Sequence, residues 1–341
     1  PSSSPTIIPA GTRPRARRQW IRCNRSTTRS SVTSCGACTW CGMPLDPLLK
    51  ALGEVASNDL PSALPRRVAF IVGANPSKGA RSPKLWNAAF AAAGIEGEMF
   101  PLDVTADRLG RLLEMLQNDP RIVGVAVAAP HKSELARLMA GRLTVAAARC
   151  GSINLLSRNE AGNLVGSNTD GLGAIASLRE VRPDLSDSRA LVLGCGGTGR
   201  AVIATLVDSV KSSHVTVAVR GSHHRTWLES LGVTVADRWT AGLDFSTFDV
   251  VINCTTVGWG EHAESSPLAE SQLRALPARG TVFDVVYQPD PTVLLRDARA
   301  LGLATLSGTR MNLLQAVIAF SLANSDVDSA VVARAMSAAA R

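Results

Sequence analysis

The sequence has 341 residues, of which 45% are hydrophobic, so it can form two domains with buried cores. Its formal net charge is +8, but the first 42 residues carry seven arginines and no acidic residue, which leaves +1 for the rest. We therefore expect no nucleic-acid-binding face on the folded part. No apolar run reaches eighteen residues, so we expect no membrane span either.

The first 42 residues form a leader with its own composition. Its four cysteines are Cys23, Cys35, Cys38 and Cys41. The last three have a spacing compatible with a zinc or iron–sulfur site, but the fourth is distant and the flanking residues lack hydrophobic periodicity. An Arg- and Ser-rich transit peptide is a further alternative. We predict a disordered or non-native leader that binds no metal, with the true start at Met43.

The body after the leader contains three cysteines, Cys150, Cys195 and Cys254. So few, widely spaced cysteines indicate a reducing compartment and no disulfide framework. We therefore expect a cytoplasmic protein.

From Met43 onward, predicted strands alternate with predicted helices. A short helix in PLDPLLKALGEVA is followed by strands at 68–72, 97–102 and 122–128 and by helices near 83–94, 105–117 and 132–139. Strand-like segments at 152–157 and 163–165 precede a linking helix at 171–180. A second series starts at Arg189, with strands in ALVL and at 215–219, 250–253 and 282–286, and helices after Gly308. This alternation predicts an α/β protein with a Rossmann-like unit in its second half.

A glycine-rich turn connects the strand ALVL to the helix RAVIATLV. Its residues are Gly194, Cys195, Gly196, Gly197, Thr198 and Gly199. Glycines here allow a tight turn and let backbone N–H groups approach a pyrophosphate at the helix N-terminus. The following strand ends at Arg220 with no Asp or Glu, and an arginine can pair with a 2′-phosphate. The pattern predicts an NADP site, the alternative being a plain glycine turn followed by a solvated basic turn.

Seven segments together resemble shikimate dehydrogenases over about 68–324. They are NPSKGARSP at 75–83, APHK at 129–132, INLL at 153–156, GSNTDG at 166–171, GCGGTGR at 194–200, VVYQPDPTVLL at 285–295 and RMNLLQA at 310–316. The resemblance implies a substrate-binding domain at 43–169 completed by 308–341, a Rossmann NADP-binding domain at 170–307, and a cleft between them. It also implies reversible hydride transfer between NADP and an alicyclic hydroxy acid, shikimate or a relative, in the chorismate pathway of aromatic amino acid biosynthesis.

The same resemblance implies roles for individual residues. The catalytic pair is Lys132 and Asp170, and a lysine beside a carboxylate suits removal of a hydroxyl proton. The implied substrate contacts are Ser82, Asn154, Tyr287 and Gln315, with Thr169 beside them. The implied cofactor contacts are Gly194, Gly196, Gly197, Thr198, Gly199, Arg220, Asn253, Thr255 and Gly308. Without the resemblance, Lys132 would be an ordinary lysine at a helix start and Asp170 a helix cap.

The sequence departs from the family pattern around the expected substrate pocket. Family members show serine, any residue, serine, preceded by a histidine, where this chain has Gly79, Ala80, Arg81 and Ser82. Ala126 and Ala128 replace an asparagine and a threonine, and His131 and Trp86 also differ from common choices. Loss of three polar groups weakens shikimate recognition, at about 0.5 to 1.5 kcal/mol each. Arg81 either supplies a new carboxylate contact or points to solvent.

Three hypotheses follow from these observations. The first is an NADP-dependent dehydrogenase for a small ring hydroxy acid, acting as a monomer or a homodimer. The second is a non-catalytic nucleotide-binding paralogue that acts as a sensor, which the three alanines favour. The third, nucleic-acid binding through the arginines, depends entirely on the leader.

Overall fold

Two β-sheets organise the part of the chain that the structure describes, residues 46–222, 224–236 and 238–341 of a computed structural model. The leader, its four cysteines and Met43 lie outside these residues, and so does His223. The predictions made for the leader therefore stay predictions.

The strands divide between the sheets in chain order. The first sheet contains β1 (Arg67–Gly73), β2 (Gly97–Asp103), β3 (Ile122–Val127), β4 (Leu155–Arg158) and β5 (Leu164–Ser167). The second contains β6 (Ala190–Leu193), β7 (Val215–Ala218), β8 (Thr234–Ala236), β9 (Val250–Asn253), β10 (Thr281–Asp284) and β11 (Ala304–Ser307).

The first sheet is mixed, with strand order β2-β1-β3-β4-β5. β1 pairs in parallel with β2 and β3, whereas β3–β4 and β4–β5 are antiparallel. The interior strand β1, between β2 and β3, is buried along nearly its whole length, because helices cover both faces.

The second sheet is entirely parallel, with strand order β11-β10-β9-β6-β7-β8. The chain reverses direction across the sheet between β6 and β9, the switch point at which open α/β sheets bind ligands. The predicted α/β class with a Rossmann-like second half is confirmed.

Twelve α-helices connect and cover these strands in the described ranges. Those before β6 are α1 (Pro47–Leu52), α2 (Ser82–Ala92), α3 (Leu109–Asn118), α4 (Lys132–Leu138), α5 (Val145–Cys150) and α6 (Asp170–Val181). Those after β6 are α7 (Gly197–Leu206), α8 (Arg225–Ser230), α9 (Glu270–Arg274), α10 (Val293–Ala300), α11 (Gly308–Ala323) and α12 (Ser329–Ala340).

The C-terminal helices pack back onto the first sheet. α12 lies against α2, and α11 contacts α2, β3 and β4 as well as α6. Trp86 and Phe90 on α2 meet Phe320 on α11, with ring centroids 5.0 Å from Phe320 in both cases. The completion of the first domain by the chain end and the domain boundaries stay predictions.

No helix within the described residues is both long and apolar enough to cross a bilayer.

Candidate active site

Three helices begin at the junction of the two sheets. α4 starts at Lys132 just after β3, α6 starts at Asp170 just after β5, and α7 starts at Gly197 after β6. Because each follows the carboxyl end of a strand, their first turns can meet at one place.

Lys132 and Asp170 form an ion pair at this junction, through Lys132 Nζ and Asp170 Oδ2. Their side chains are 17% and 6% exposed. Thr198 Oγ1 lies 3.0 Å from Lys132 Nζ and 3.1 Å from Asp170 Oδ2. An ammonium can only donate, so the Thr198 hydroxyl accepts from Lys132 and donates to Asp170. The three side chains therefore form a closed triangle of polar contacts.

Asn154 extends this network to helix α11. Its Nδ2 lies 2.8 Å from Asp170 Oδ1, 2.9 Å from Thr169 Oγ1 and 3.2 Å from Gln315 Oε1. Its Oδ1 accepts from the Thr169 N–H at 2.8 Å. The structure thus brings Asn154, Thr169 and Gln315, all singled out in the sequence, beside the ion pair.

Asn168 is a supporting residue that sequence reasoning missed. Its Oδ1 accepts from the Asp170 N–H at 2.9 Å, and its Nδ2 donates to the Ser152 carbonyl at 3.1 Å. An asparagine two residues before an N–H commonly caps it, which was the available signal. Since Asn168 caps this N–H, the Asp170 carboxylate is free to contact Lys132, Thr198 and Asn154 and is not a helix cap.

Tyr287 is half-buried and is influenced by the charges of Arg81 and Asp170. Burial raises the pKa of the Tyr287 hydroxyl; the positive charge of Arg81 opposes that rise, and the negative charge of Asp170 adds to it. Arg81 Cζ is 6.0 Å from the centroid of the tyrosine ring. Tyr287 is therefore within electrostatic range of both the ion pair and a guanidinium.

The start of α2 contributes Arg81, the residue before the helix, and Ser82, its first residue. Arg81 Nη2 donates to the Ala340 carbonyl at 3.3 Å, and no Asp or Glu within the described residues pairs with its charge. Ser82 is buried at the first position of α2, and no hydrogen bond of its hydroxyl joins it to the ion-pair network in the described part of the chain.

The three alanines that depart from the family pattern share one apolar environment. Ala80, Ala126 and Ala128 all pack against the cluster that contains Leu155 and Leu313. None of the three side chains can donate a hydrogen bond.

The other two departures have structural roles. His131 is buried, and its Nε2 lies 2.7 Å from the Val104 carbonyl oxygen. Trp86 is 1% exposed in the aromatic cluster with Phe90 and Phe320. Neither residue is positioned as a free polar group.

The glycine-rich turn has the geometry that its sequence predicts. Gly194 has φ +92°, and a Cβ there would lie 2.9 Å from Thr255 Cγ2. A Cβ on Gly199 would lie 2.7 Å from the Gly194 carbonyl oxygen. Gly196 is exposed with open space around it, and the first turn of α7 leaves backbone N–H groups without helical acceptors. These features fit a pyrophosphate.

The turn also approaches the first sheet closely. A Cβ on Gly197 would lie 3.0 Å from Ser152 Oγ and 3.2 Å from Lys132 Cβ. The absence of a Cβ at Gly197 therefore allows the turn to lie against Lys132 and Ser152.

Arg220 is exposed two residues after the end of β7. Its Cζ lies 5.4 Å from the ring centroid of Trp239. This cation–π contact holds the side chain near the carboxyl end of β7. The position fits recognition of a phosphate next to the turn.

The remaining predicted cofactor residues shape backbone. Asn253 is buried; its Oδ1 accepts from the Thr255 N–H and hydroxyl, and its Nδ2 donates to Asp284 Oδ1 at 3.0 Å. Gly308 opens α11, and a Cβ there would collide with the Val285 carbonyl oxygen. Asp284 was not singled out in the sequence.

The cysteines near the turn, Cys195 and Cys254, are buried and form no disulfide. Burial raises the pKa of Cys195 to about 11 and raises that of Cys254 further. Thiolate chemistry at this turn is therefore disfavoured.

Comparison with known proteins agrees with this arrangement. The family model described as "shikimate dehydrogenase substrate binding domain" matches residues 72–156. The shikimate dehydrogenase (NADP(+)) of Rhodospirillum rubrum is 36% identical over 258 residues, covering 73% of this chain and 88% of that protein. The chain belongs to the shikimate dehydrogenase family. It is an oxidoreductase of the shikimate dehydrogenase superfamily.

Solved structures of the shikimate dehydrogenase fold superpose well on this chain. Shikimate 5-dehydrogenase of Thermus thermophilus, in complex with NADP(H) and shikimate, is 27% identical with a TM-score of 0.69, covering 80% of this chain and 99% of that one. The ligand-free 5-ketofructose reductase of a Gluconobacter strain is 27% identical with a TM-score of 0.68 and the same coverage. Because enzymes of both names share the fold, family membership leaves the substrate open.

Proposed function

We propose that this protein is an NADP-dependent dehydrogenase that interconverts a secondary alcohol and a ketone on an alicyclic hydroxy acid, shikimate or a relative of it. The observation that carries the proposal is the Lys132–Asp170 ion pair, held beside the glycine-rich turn. A buried acid–base pair next to a dinucleotide turn is what alcohol oxidation needs.

Lys132 and Asp170 act as the proton-transfer pair. Oxidation of the alcohol releases the hydroxyl proton, and reduction of the ketone requires it back. Lys132 Nζ has one N–H with no acceptor in the described part of the chain, and Asp170 Oδ1 has a lone pair beyond its bond from Asn154. One substrate oxygen can therefore accept from Lys132 while its hydroxyl donates to Asp170.

Substrate orientation falls to the residues around the pair. Asn154 and Gln315 present amide groups at the Asp170 side, and Tyr287 presents a hydroxyl on the Arg81 side. Ser82 is the first residue of α2, next to Arg81. We assign ring-hydroxyl contacts to the amides and carboxylate contacts to Ser82, Tyr287 and Arg81.

The residues present fit an NADP cofactor. The turn of Gly194, Gly196, Gly197 and Gly199, with the Thr198 N–H, would bind the pyrophosphate, and Arg220 the 2′-phosphate. Asn253, Thr255 and Gly308 would shape the wall for the nicotinamide, which when bound accepts or donates the hydride.

A second candidate is the reduction of an uncharged polyhydroxy ketone. Ala80, Ala126 and Ala128 favour it, because their side chains provide no hydrogen-bond partner for a carboxylate. The likeness to 5-ketofructose reductase also favours this second candidate.

The test is steady-state turnover with NADP⁺ or NADPH, and with NAD⁺ or NADH, across shikimate, quinate, other ring hydroxy acids and neutral polyols with their ketones. We expect turnover of a ring acid with NADP⁺ that falls by on the order of 10²-fold or more in Lys132→Met. Lys211→Met, which removes an exposed lysine, is the control and should match wild type.

The outcomes separate the hypotheses. Turnover of neutral ketones alone favours the second candidate. Normal cofactor binding with no turnover on any substrate, unchanged by Lys132→Met, contradicts both and favours a sensor.

A further inference from the structure

The glycine-rich turn places a side chain directly on the proposed catalytic pair. Thr198 is the second residue of α7, whereas Lys132 and Asp170 are the first residues of α4 and α6. Thr198 was expected to contact only the cofactor. Instead, its hydroxyl lies 3.0 Å from Lys132 Nζ and 3.1 Å from Asp170 Oδ2.

Counting donors and acceptors shows what this hydroxyl does. Lys132 has three N–H groups, of which one contacts Asp170 and one contacts Thr198. The Asp170 carboxylate has about four lone-pair sites, and Lys132, Thr198 and Asn154 use three of them. One donor on Lys132 and one acceptor on Asp170 remain, which are the two groups that a single reacting hydroxyl requires.

We propose that Thr198 is a positioning residue that fixes the rotation of the Lys132 ammonium, leaving a single N–H directed at the substrate oxygen. Without the hydroxyl, the ammonium rotates among several orientations. One acceptor site on Asp170 Oδ2 also becomes open, in addition to the open site on Oδ1. The inference rests on the proposed function of the pair, but the contact itself does not.

The role also connects the cofactor turn to the acid–base pair. Thr198 reaches Lys132 where the turn lies close to α4: a Cβ added at Gly197 would lie 3.2 Å from Lys132 Cβ, so a larger residue there would crowd this contact. If the turn moves away from α4, the Thr198 hydroxyl leaves the ion pair. The Lys132 ammonium is therefore oriented only while the turn lies against α4.

Thr198→Val is the direct test, because valine keeps the branched shape and lacks the hydroxyl. We expect kcat to fall on the order of tenfold, with the KM for NADPH within about twofold of wild type. Thr198→Ser keeps the hydroxyl and should restore kcat. Thr205→Val is the matched control on the same helix, since the Thr205 hydroxyl donates to the Ala201 carbonyl of its own helix at 2.9 Å.

A second readout needs no turnover. Reductive methylation of the ligand-free protein, followed by peptide mass spectrometry, measures the labelling rate of Lys132 against exposed Lys211. We expect this ratio to rise several-fold in Thr198→Val and to stay at the wild-type value in Thr198→Ser and Thr205→Val.

The two readouts distinguish failure of the inference from failure of the proposed function. Equal Lys132 labelling in Thr198→Val and wild type overturns the inference, as does a variant whose only defect is a raised KM for NADPH. If wild type turns over no substrate but labelling changes as expected, the Thr198 contact stands and the proposed function fails.

Discussion

Arg81 is the residue whose surroundings speak most directly to the substrate. Its guanidinium lies 6.0 Å from the Tyr287 ring, and no carboxylate in the described part of the chain pairs with it. Ala80, its neighbour in sequence, and Ala126 and Ala128 offer no side-chain donor. A substrate carboxylate on this side would therefore find in Arg81 the donor that the alanines lack, and a guanidinium can bind a carboxylate with two hydrogen bonds.

We expect Arg81→Gln to raise the KM for a ring hydroxy acid by about 10- to 100-fold, because a hydrogen bond to a charged group contributes roughly 1.5 to 3 kcal/mol. The KM for a neutral polyol should stay near wild type. Steady-state kinetics on both substrate types measure the difference. Lys84→Gln, which removes an exposed charge from the first turn of the adjoining helix α2, is the control. An equal rise for charged and neutral substrates would show that Arg81 holds the loop in place and does not read charge.

Individual residues also show how far sequence can reach. Lys132 and Asp170 were singled out because each sits in a short, specific motif, and the structure brings them into contact. The Thr198 contact could not be predicted, since a threonine in a glycine turn has the same local sequence whether it faces solvent or a neighbouring helix.

At the scale of elements, helices α6 and α11 cross closely at a glycine. A Cβ on Gly173 would lie 2.8 Å from both Cβ and N of Gln315 and 3.0 Å from the Met311 carbonyl oxygen. Two of these atoms are backbone, so relief requires movement of a whole helix.

We expect Gly173→Ala to lower the free energy of unfolding by about 1 to 3 kcal/mol through overpacking. Urea denaturation with linear extrapolation measures it. Gly110→Ala is the control: Gly110 is exposed in helix α3 with no atom within 4 Å of the added Cβ, and alanine there should stabilise the helix by about 0.5 to 1 kcal/mol. Similar effects of the two substitutions would contradict close packing at Gly173.

The end of strand β10 carries a buried titrating group. Burial raises the pKa of Asp284 to about 6, although its carboxylate accepts hydrogen bonds from Thr292 Oγ1, the Val286 N–H and Asn253 Nδ2. The folded state therefore binds this proton more tightly than the unfolded state does. The resulting stabilisation is full below about pH 4 and is lost as the pH rises through about 6.

We expect this loss to appear in the difference between wild type and Asp284→Asn. The asparagine keeps an oxygen acceptor for Asn253 and Val286 and does not titrate. The free energy of unfolding of wild type, relative to the variant, should fall by roughly 2 to 3 kcal/mol between pH 4 and pH 7. Urea denaturation at several pH values measures it, and a constant difference would show that Asp284 does not bind a proton in this range.

Long elements were predicted more reliably than short ones. The hydrophobic strands β1 and β3 and the periodic helices α2 and α11 all lie where the pattern placed them. Strand β8, three residues long, and helix α9, five residues long, were not predicted, because so few residues show no periodicity and tertiary packing decides their conformation.

At the scale of the whole molecule, hydrogen bonds from helix α7 to residues of α4 and the end of α5 link positions that are distant in sequence. Arg200 on helix α7 donates from Nε to the Cys150 carbonyl at 2.7 Å and from Nη2 to the Gly151 carbonyl at 2.8 Å and Ser133 Oγ at 2.7 Å. The glycine motif predicted a helix here but gave no partner for its arginine, since hydrogen-bond acceptors fifty residues away carry no signature.

Arg149 offers a natural comparison, because it lies on α5 and forms an ion pair with Asp208, which follows α7. Its Nη1 lies 2.8 and 2.9 Å from the two carboxylate oxygens of Asp208, with side-chain exposures of 38% and 61%. Exposed ion pairs of this kind contribute about 0 to 1 kcal/mol, since water screens both charges. Arg200 instead satisfies backbone carbonyls, one of them belonging to buried Cys150.

We expect Arg200→Gln to lower the free energy of unfolding by about 1 to 3 kcal/mol, because the shorter amide leaves acceptors of the α5–β4 connection unsatisfied. Arg149→Gln should change it by less than about 1 kcal/mol. Urea denaturation gives both values, and amide hydrogen exchange at 150–153 should accelerate only in Arg200→Gln. If the two variants lose equal stability and exchange at equal rates, the junction is held by its packing and the Arg200 hydrogen bonds contribute no more than a surface ion pair.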